Sequence, residues 1–216
     1  MGTAVDLRFK HPFCLLVAGP TGSGKTEFVF RMLQEYKHAT TIDSDPLKVL
    51  YCYGVWQDGY ERLMPSDVHI DFHEGFSYDY LDHNPDIVIV DDLMEEMAKD
   101  KSLTALFTKT SHHKRISVVF IVQNLFLQSK ELRTISLNSH YITLLKNARD
   151  RLQVMTLGRQ IYPGQSSFFM DAYDAAVSEP FSHLIIDTSA ACPDHLRLRQ
   201  RKTVKGRRGY EAYEPR

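Results

Sequence analysis

The sequence predicts an α/β layered fold with a largely parallel sheet, and three observations carry that prediction. Short apolar runs alternate with stretches at helical spacing. Residues 13–18 and 87–90 are continuously apolar, the signature of strands covered on both faces. A glycine-rich turn joins the first of these runs to the first helical stretch.

In chain order, Phe13, Cys14, Leu15, Leu16, Val17 and Ala18 read as a buried first strand. A helix over 25–36 follows, with Phe28, Met32 and Leu33 on one side. Residues 48–53 form a second strand and 68–72 an additional one in a more polar region. Ile87, Val88, Ile89 and Val90 make the clearest central strand, with Pro85 before it and Asp91 and Asp92 after it. Residues 93–110 read as helical, 116–122 and 141–145 as strands, 149–161 and 166–177 as helices, and 184–186 as a last strand. No repeat or low-complexity linker interrupts the pattern. The expected organisation is one domain over 1–196 and a basic C-terminal tail over 197–216.

Composition bounds the partners. The 216 residues are 43% hydrophobic and 25% charged, enough for one sizeable core. The net charge of −1 hides an asymmetry: Arg197, Arg199, Arg201, Lys202, Lys205, Arg207 and Arg208 lie in a stretch without acids, so the remainder sums to −8. A basic tail on an acidic body points to an anionic partner. Cys14, Cys52 and Cys192 lack paired or metal-type spacing, which predicts reduced, buried thiols in an intracellular protein. No apolar run approaches the roughly 18 residues of a membrane span, and residues 1–11 lack the apolar core of a signal peptide.

The chemistry is concentrated in three places. Gly19, Pro20, Thr21, Gly22, Ser23, Gly24, Lys25 and Thr26 fit G-x-x-x-x-G-K-[ST] between a strand and a helix. Polyphosphate must approach the backbone closely there, so glycines keep side chains away while N–H groups and the helix terminus face the anion. Lys25 is expected to reach the β and γ phosphates of a Mg-NTP, most simply ATP, and the Thr26 hydroxyl to ligate Mg²⁺. Asp91, at the C-terminal edge of a strand, is the second candidate metal residue, and Asp92 the candidate base that activates the attacking water. Turn formation or helix capping is the plain reading of such aspartates elsewhere. Gln123 closes the 116–122 strand, where it either senses the γ phosphate or bonds a loop backbone.

Taken together, these motifs resemble a known group. They are joined by Phe107-Thr108-Lys109-Thr110-Ser111-His112-His113-Lys114-Arg115, Val122-Gln123-Asn124-Leu125-Phe126, Arg133-Thr134-Ile135-Ser136-Leu137-Asn138 and Lys146-Asn147-Ala148-Arg149-Asp150. The combination, over residues 13–199, is similar to the genome-packaging ATPases of the HerA–FtsK superfamily, in the branch of poxvirus-like, adintovirus and polinton-type double-stranded DNA viruses and elements. The resemblance implies a P-loop NTPase with an additional-strand (ASCE) three-layer α/β/α core. It implies a ring-forming homo-oligomer that hydrolyses ATP with Mg²⁺ and moves double-stranded DNA into a capsid, with capsid or portal-type proteins as further partners and no membrane. The implied setting is intracellular, in a host nucleus or cytoplasmic virus factory or with the virion. Gln123 takes the sensor role, and Arg115 or else Arg149 that of an arginine finger acting on a neighbouring subunit. The superfamily usually has Glu where this chain has Asp92, one methylene shorter.

The remaining features read more plainly. His112 and His113 either contact phosphate or metal or form a polar helix end, and Phe168, Phe169 and Tyr173 either stack on a base or line a core-facing helix. The basic tail either binds DNA phosphates, directs the protein to a nucleus, or is solvated. A P-loop small-molecule kinase and a nucleotide-gated assembly protein are the alternative functional classes.

Overall fold

The computed structural model describes residues 7–35, 42–43, 48–93, 105–106, 111–125, 130–204 and 207–214. Within them, nine strands form one sheet: β1 (Cys14–Ala18), β2 (Lys48–Tyr53), β3 (His69–Glu74), β4 (Ile87–Asp91), β5 (Ser117–Val122), β6 (Tyr141–Leu145), β7 (His183–Asp187), β8 (Leu198–Val204) and β9 (Arg207–Ala212). Their spatial order is β3-β2-β4-β5-β1-β6-β7-β8-β9. The strands from β3 to β6 in that order run parallel, and β7, β8 and β9 extend the sheet antiparallel. One strand, β5, lies between the strand that precedes the glycine-rich turn and the strand that ends in Asp91. That is the additional-strand arrangement the resemblance implies.

The period of two along each strand sorts its side chains between two apolar layers. Leu15 and Val17 of β1, Tyr51 of β2 and Ile89 of β4 pack with Phe28, Val29, Met32 and Leu33 of α1 (Lys25–Gln34). Leu16, Leu50, Val88 and Val90 lie on the opposite face, with Val154 and Leu157 of α5 (Arg151–Ile161) and Phe169, Ala172 and Tyr173 of α6 (Ser166–Ala176). The sheet is therefore the middle of three layers. The shorter helices are α2 (Gly59–Leu63), α3 (Ser111–Lys114) and α4 (Lys130–Asn138). Because β1, β4 and β5 are buried along their whole lengths, polar chemistry is confined to their ends.

Expected and observed elements agree to within a residue or two for most of the chain. The expected helix over 93–110 lies almost wholly outside the described residues. Phe169 and Tyr173 are core residues, and Phe168 packs against the core. The three cysteines are free and buried. Among the described residues, no helix is long and apolar enough to cross a membrane.

The described part of 197–216 belongs to the sheet rather than forming a tail. Residues 198–204 and 207–212 form β8 and β9, and the reason is charge neutralisation inside the sheet layer. Leu198 is fully buried. Arg199, 5% exposed, pairs with Asp187 and donates to the Leu7 carbonyl at 3.0 Å. Arg201 pairs with Glu35 beyond the end of α1, and Arg197 donates to the Asp187 carbonyl at 2.8 Å and to Asp194 at 3.0 Å. These three arginines are engaged internally, so among the tail's basic residues they are not free solvated charges. The side chains of Lys202, Lys205, Arg207 and Arg208 lie outside the described residues.

Candidate active site

The glycine-rich turn leaves β1 with the Gly19 N–H bonded to the Val122 carbonyl of β5 at 3.2 Å. Gly22 and Gly24 adopt left-handed backbone conformations, φ 77° and 96°, which a side chain would strain. Gly24 is also the N-cap of α1, with no side-chain cap, so the first N–H groups of that helix face the turn. A Cβ at Gly24 would stand 2.9 Å from the ring of Phe181. Lys25 Nζ curls into the turn, donating to the carbonyls of Gly19 (2.8 Å) and Pro20 (3.0 Å). Burial lowers the Lys25 pKa, opposed by the charges of Asp91 and then Asp92. Ser23 Oγ is buried in the same turn with no hydrogen-bond partner. A backbone cradle, a partially desolvated ammonium and an orphaned hydroxyl are together the donor set that a polyphosphate fits.

Across from the turn, Asp91 is 3% exposed at the end of β4. Its Oδ2 accepts from Tyr51 Oη at 2.6 Å, Tyr60 Oη at 3.0 Å and Thr26 Oγ1 at 3.4 Å. Burial raises the carboxyl pKa, while the two tyrosine hydroxyls oppose the shift. Burial and the neighbouring Asp91 charge raise both tyrosine pKa values, so Tyr51 and Tyr60 remain protonated donors. Among the described residues, Asp91 has no salt bridge. A buried carboxylate beside a threonine hydroxyl fits a hard divalent cation such as Mg²⁺, which takes one or two protein oxygens plus substrate phosphates.

Asp92 follows with a left-handed backbone, φ 57°. The Gly54 N–H donates to the Asp91 carbonyl at 3.1 Å, and a Cβ on Gly54 would lie only 2.7 Å from the Asp92 carbonyl oxygen. Gly54 thus allows the β2 and β4 ends to close together and aim Asp92 outward. Gln123, one residue past β5, donates from Nε2 to Asp92 Oδ1 at 3.3 Å.

These groups share a cleft of about 350 Å³ lined by Thr21, Gly24, Thr26, Asp91, Asp92 and Gln123, among others. The structure brings Thr21, Gly22, Gly24, Lys25 and Thr26 of the turn together with Asp91 and Asp92 at the β4 end and Gln123 at the β5 end, while Pro20 lines an adjoining cleft. It adds residues that sequence reasoning missed: Tyr51, Tyr60, Gln57, Arg62 and Phe181. A hydroxyl 31 or 40 residues away from Asp91 leaves no local pattern to find. The two candidate arginines part company. Arg149 lines an adjoining polar cleft with Pro20, Thr21, Gln123 and Asn147. It sits in a loop where Asn147 Oδ1 accepts from the N–H groups of Arg149 and Asp150, and Asp150 then caps α5. That cap is why the helix begins two residues later than expected. Arg115 instead precedes β5, an exposed left-handed residue at φ 56°. It lies at the far end of a six-residue strand, about 20 Å from the Gln123 end.

No family model matches the sequence, and no curated protein matches it. Solved structures do share the fold. The genome packaging NTPase B204 from Sulfolobus turreted icosahedral virus 2 in complex with sulfate superposes with a TM-score of 0.52 at 9% identity, over 89% of this chain and 97% of that one. Its complex with ATP-gammaS gives 0.54 at 10% identity, over 83% and 94%. B204, the DNA-packaging ATPase from Sulfolobus Turreted Icosahedral Virus, gives 0.58 at 8% identity, over 91% and 100%. At these identities the likeness shows the fold. The chain has a P-loop NTPase fold, shared with viral genome-packaging NTPases at low sequence identity.

Proposed function

We propose that this chain is a Mg²⁺-dependent ATPase that translocates double-stranded DNA of a virus or virus-like mobile element into a capsid, working as one subunit of a homo-oligomeric ring. The observation that carries the catalytic part is convergence: the glycine-rich turn, Asp91 with Asp92, and Gln123 close one cleft at the C-terminal ends of β1, β4 and β5. The DNA-moving part is supported by the joint motifs and by a fold matched over nearly the full length of DNA-packaging ATPases.

In this reading the N–H groups of residues 19–26 and Lys25 bind the phosphates of ATP, and Lys25 exchanges its carbonyl partners for phosphate oxygens. Thr26 and Asp91 hold Mg²⁺, which supplies charge neutralisation on the transferred phosphoryl group. Tyr51 and Tyr60 keep Asp91 oriented. Asp92 accepts the proton of the attacking water, and Gln123, bonded to it, reports the state of the nucleotide to the adjoining cleft. Arg115 or Arg149 acts on the neighbour's nucleotide.

The test is the ATPase rate with and without duplex DNA across a protein concentration series. A rate that rises with both supports a DNA-stimulated oligomeric motor. Turnover that requires a small-molecule acceptor would replace it with a kinase. Lys25→Ala should abolish nucleotide binding. Mixing inactive Arg115→Ala or Arg149→Ala protein with Asp92→Asn subunits should restore turnover for the arginine that acts in trans, since some interfaces then pair an intact base with an intact finger. No rescue of either in co-assembled mixtures would remove both from that role.

A further inference from the structure

Phe181 is the only aromatic side chain among the described residues lining the main cleft, and it is 56% exposed. Its position is built. The Ser182 N–H returns to the Glu179 carbonyl at 3.3 Å, closing a turn with Pro180 second and Phe181 third. Phe181 has φ 60°, a conformation that the third position of such a turn normally reserves for glycine. A bulky side chain is thus held in a strained backbone where glycine would sit freely, and strain of this kind gathers at ligand sites. The turn is fixed from both sides. β7 begins two residues later with His183 opposite Leu145 of β6, and the His183 ring packs edge-on to Phe28 of α1 at 4.5 Å. The Phe181 ring itself rests on Gly24, at the start of α1.

Strand order gives this ring a direction. Asp91 and Gln123 end β4 and β5 on one side of β1, whereas Phe181 precedes β7 on the other. With strands about 4.8 Å apart, β7 lies about 10 Å from β1, the reach of a ribose and base beyond the phosphates. We propose that Phe181 is the base-stacking residue of this site, taking the nucleobase of a triphosphate whose terminal phosphate faces Asp91 and Gln123. This rests on the reading that residues 19–26 hold the phosphates. Stacking tolerates any base because each has a π face, so Phe181 selects base-bearing nucleotides over bare polyphosphate and ranks purines above pyrimidines by stacking area.

The experiment measures binding of Mg-ATP and of inorganic tripolyphosphate to the full chain by calorimetry, comparing wild type, Phe181→Gly and Phe181→Trp. The glycine variant suits the backbone of the turn, so its fold is not at risk. We expect Phe181→Gly to lose about ten-fold in ATP affinity and nothing in tripolyphosphate affinity. Phe181→Trp should retain ATP affinity, and its added fluorescence should be quenched by ATP but not by tripolyphosphate; wild type, with Trp56 as its single tryptophan, is the control. An equal loss for both ligands would overturn the proposal, because Phe181 would then act by propping Gly24. An unchanged ATP affinity in Phe181→Gly would overturn it too. A wild type that binds neither ligand would instead overturn the phosphate-site reading on which it rests.

Discussion

Asp91 and Asp187 are both buried carboxylates at strand ends, 3% and 4% exposed, and they are neutralised in opposite ways. Asp187, at the end of β7, is closed: Arg199 meets one oxygen, and the Ser189 N–H (3.0 Å) and Oγ (2.5 Å) meet the other. Asp91 is surrounded by neutral hydroxyls, which orient a charge without cancelling it. Lys25, whose charge acts on it, is turned toward the carbonyls of Gly19 and Pro20. Burial therefore does not separate a structural carboxylate from a chemical one. The supply of counter-charge does: Asp187 is paired with an arginine, and Asp91, in the reading proposed above, is the one that takes a cation.

The sharpest test of that contrast exchanges each carboxylate for its amide. Asp187→Asn strands Arg199 as a buried unpaired charge and should cost about 3–5 kcal/mol of stability, read by urea unfolding. A loss below about 1 kcal/mol would put Asp187 and Asp91 in the same class. Asp92→Asn, which leaves Asp91 intact, should keep ATP binding while turnover falls about 10²- to 10⁴-fold, because an amide cannot accept the proton of water. Normal turnover would strip Asp92 of its role.

A smaller effect comes from His183, which joins the two regions at the start of β7. Burial, then the charge of Arg201, lowers its pKa from 6.5 to about 4. The unfolded chain therefore binds the proton first, and stability falls as pH drops through 6.5 to about 4, by about 3 kcal/mol once complete. His183→Leu should flatten that limb of a stability–pH profile; an unaltered limb would assign the loss to other groups. Asp91 works with the reverse sign. Its raised carboxyl pKa means the folded chain holds its proton longer, so its contribution to stability declines as pH rises from the ordinary carboxylate value. Asp91→Asn should consequently sit within about 1 kcal/mol of wild type at neutral pH, or above it, while losing Mg²⁺-dependent nucleotide binding. The least change is expected for Arg201→Gln in a salt titration of duplex binding. With Arg201 held by Glu35, the slope should move by much less than the roughly 0.9 that one lost phosphate contact produces.

What could be read in the sequence follows physical locality. The turn over residues 19–26 is legible because a phosphate needs backbone N–H groups from consecutive residues, and Asp91 and Gln123 are legible because a polar residue ending an apolar strand stands out. Tyr51, Tyr60 and Phe181 are not, since they reach the cleft through strand pairing and a remote turn, and each could equally serve the core. β8 was missed for a different reason. In Leu198-Arg199-Gln200-Arg201-Lys202 the alternation is present, but an inward arginine whose partner lies at Asp187 looks solvated when read by hydropathy. Arg115, ranked ahead of Arg149 from sequence, lies at the opposite end of β5 from Gln123, whereas Arg149 lines the cleft beside it; only the direction of β5 separates them.

The position of β8 also orders events during synthesis. A chain made from its N-terminus has β1 through β6, the parallel part of the sheet, before residue 146. Asp187 and the open edge of β7 emerge later, and their partners in β8 later still. Until Arg199 arrives, the nascent chain carries an unpaired strand edge and an uncompensated carboxylate, while Leu7 waits across 192 residues for the same guanidinium. Unpaired edges are the sticky surfaces of incomplete folds. The strands β8 and β9 thus act as a closing latch, and a chain interrupted near residue 196 would carry β1 through β7 with the outer edge of β7 exposed.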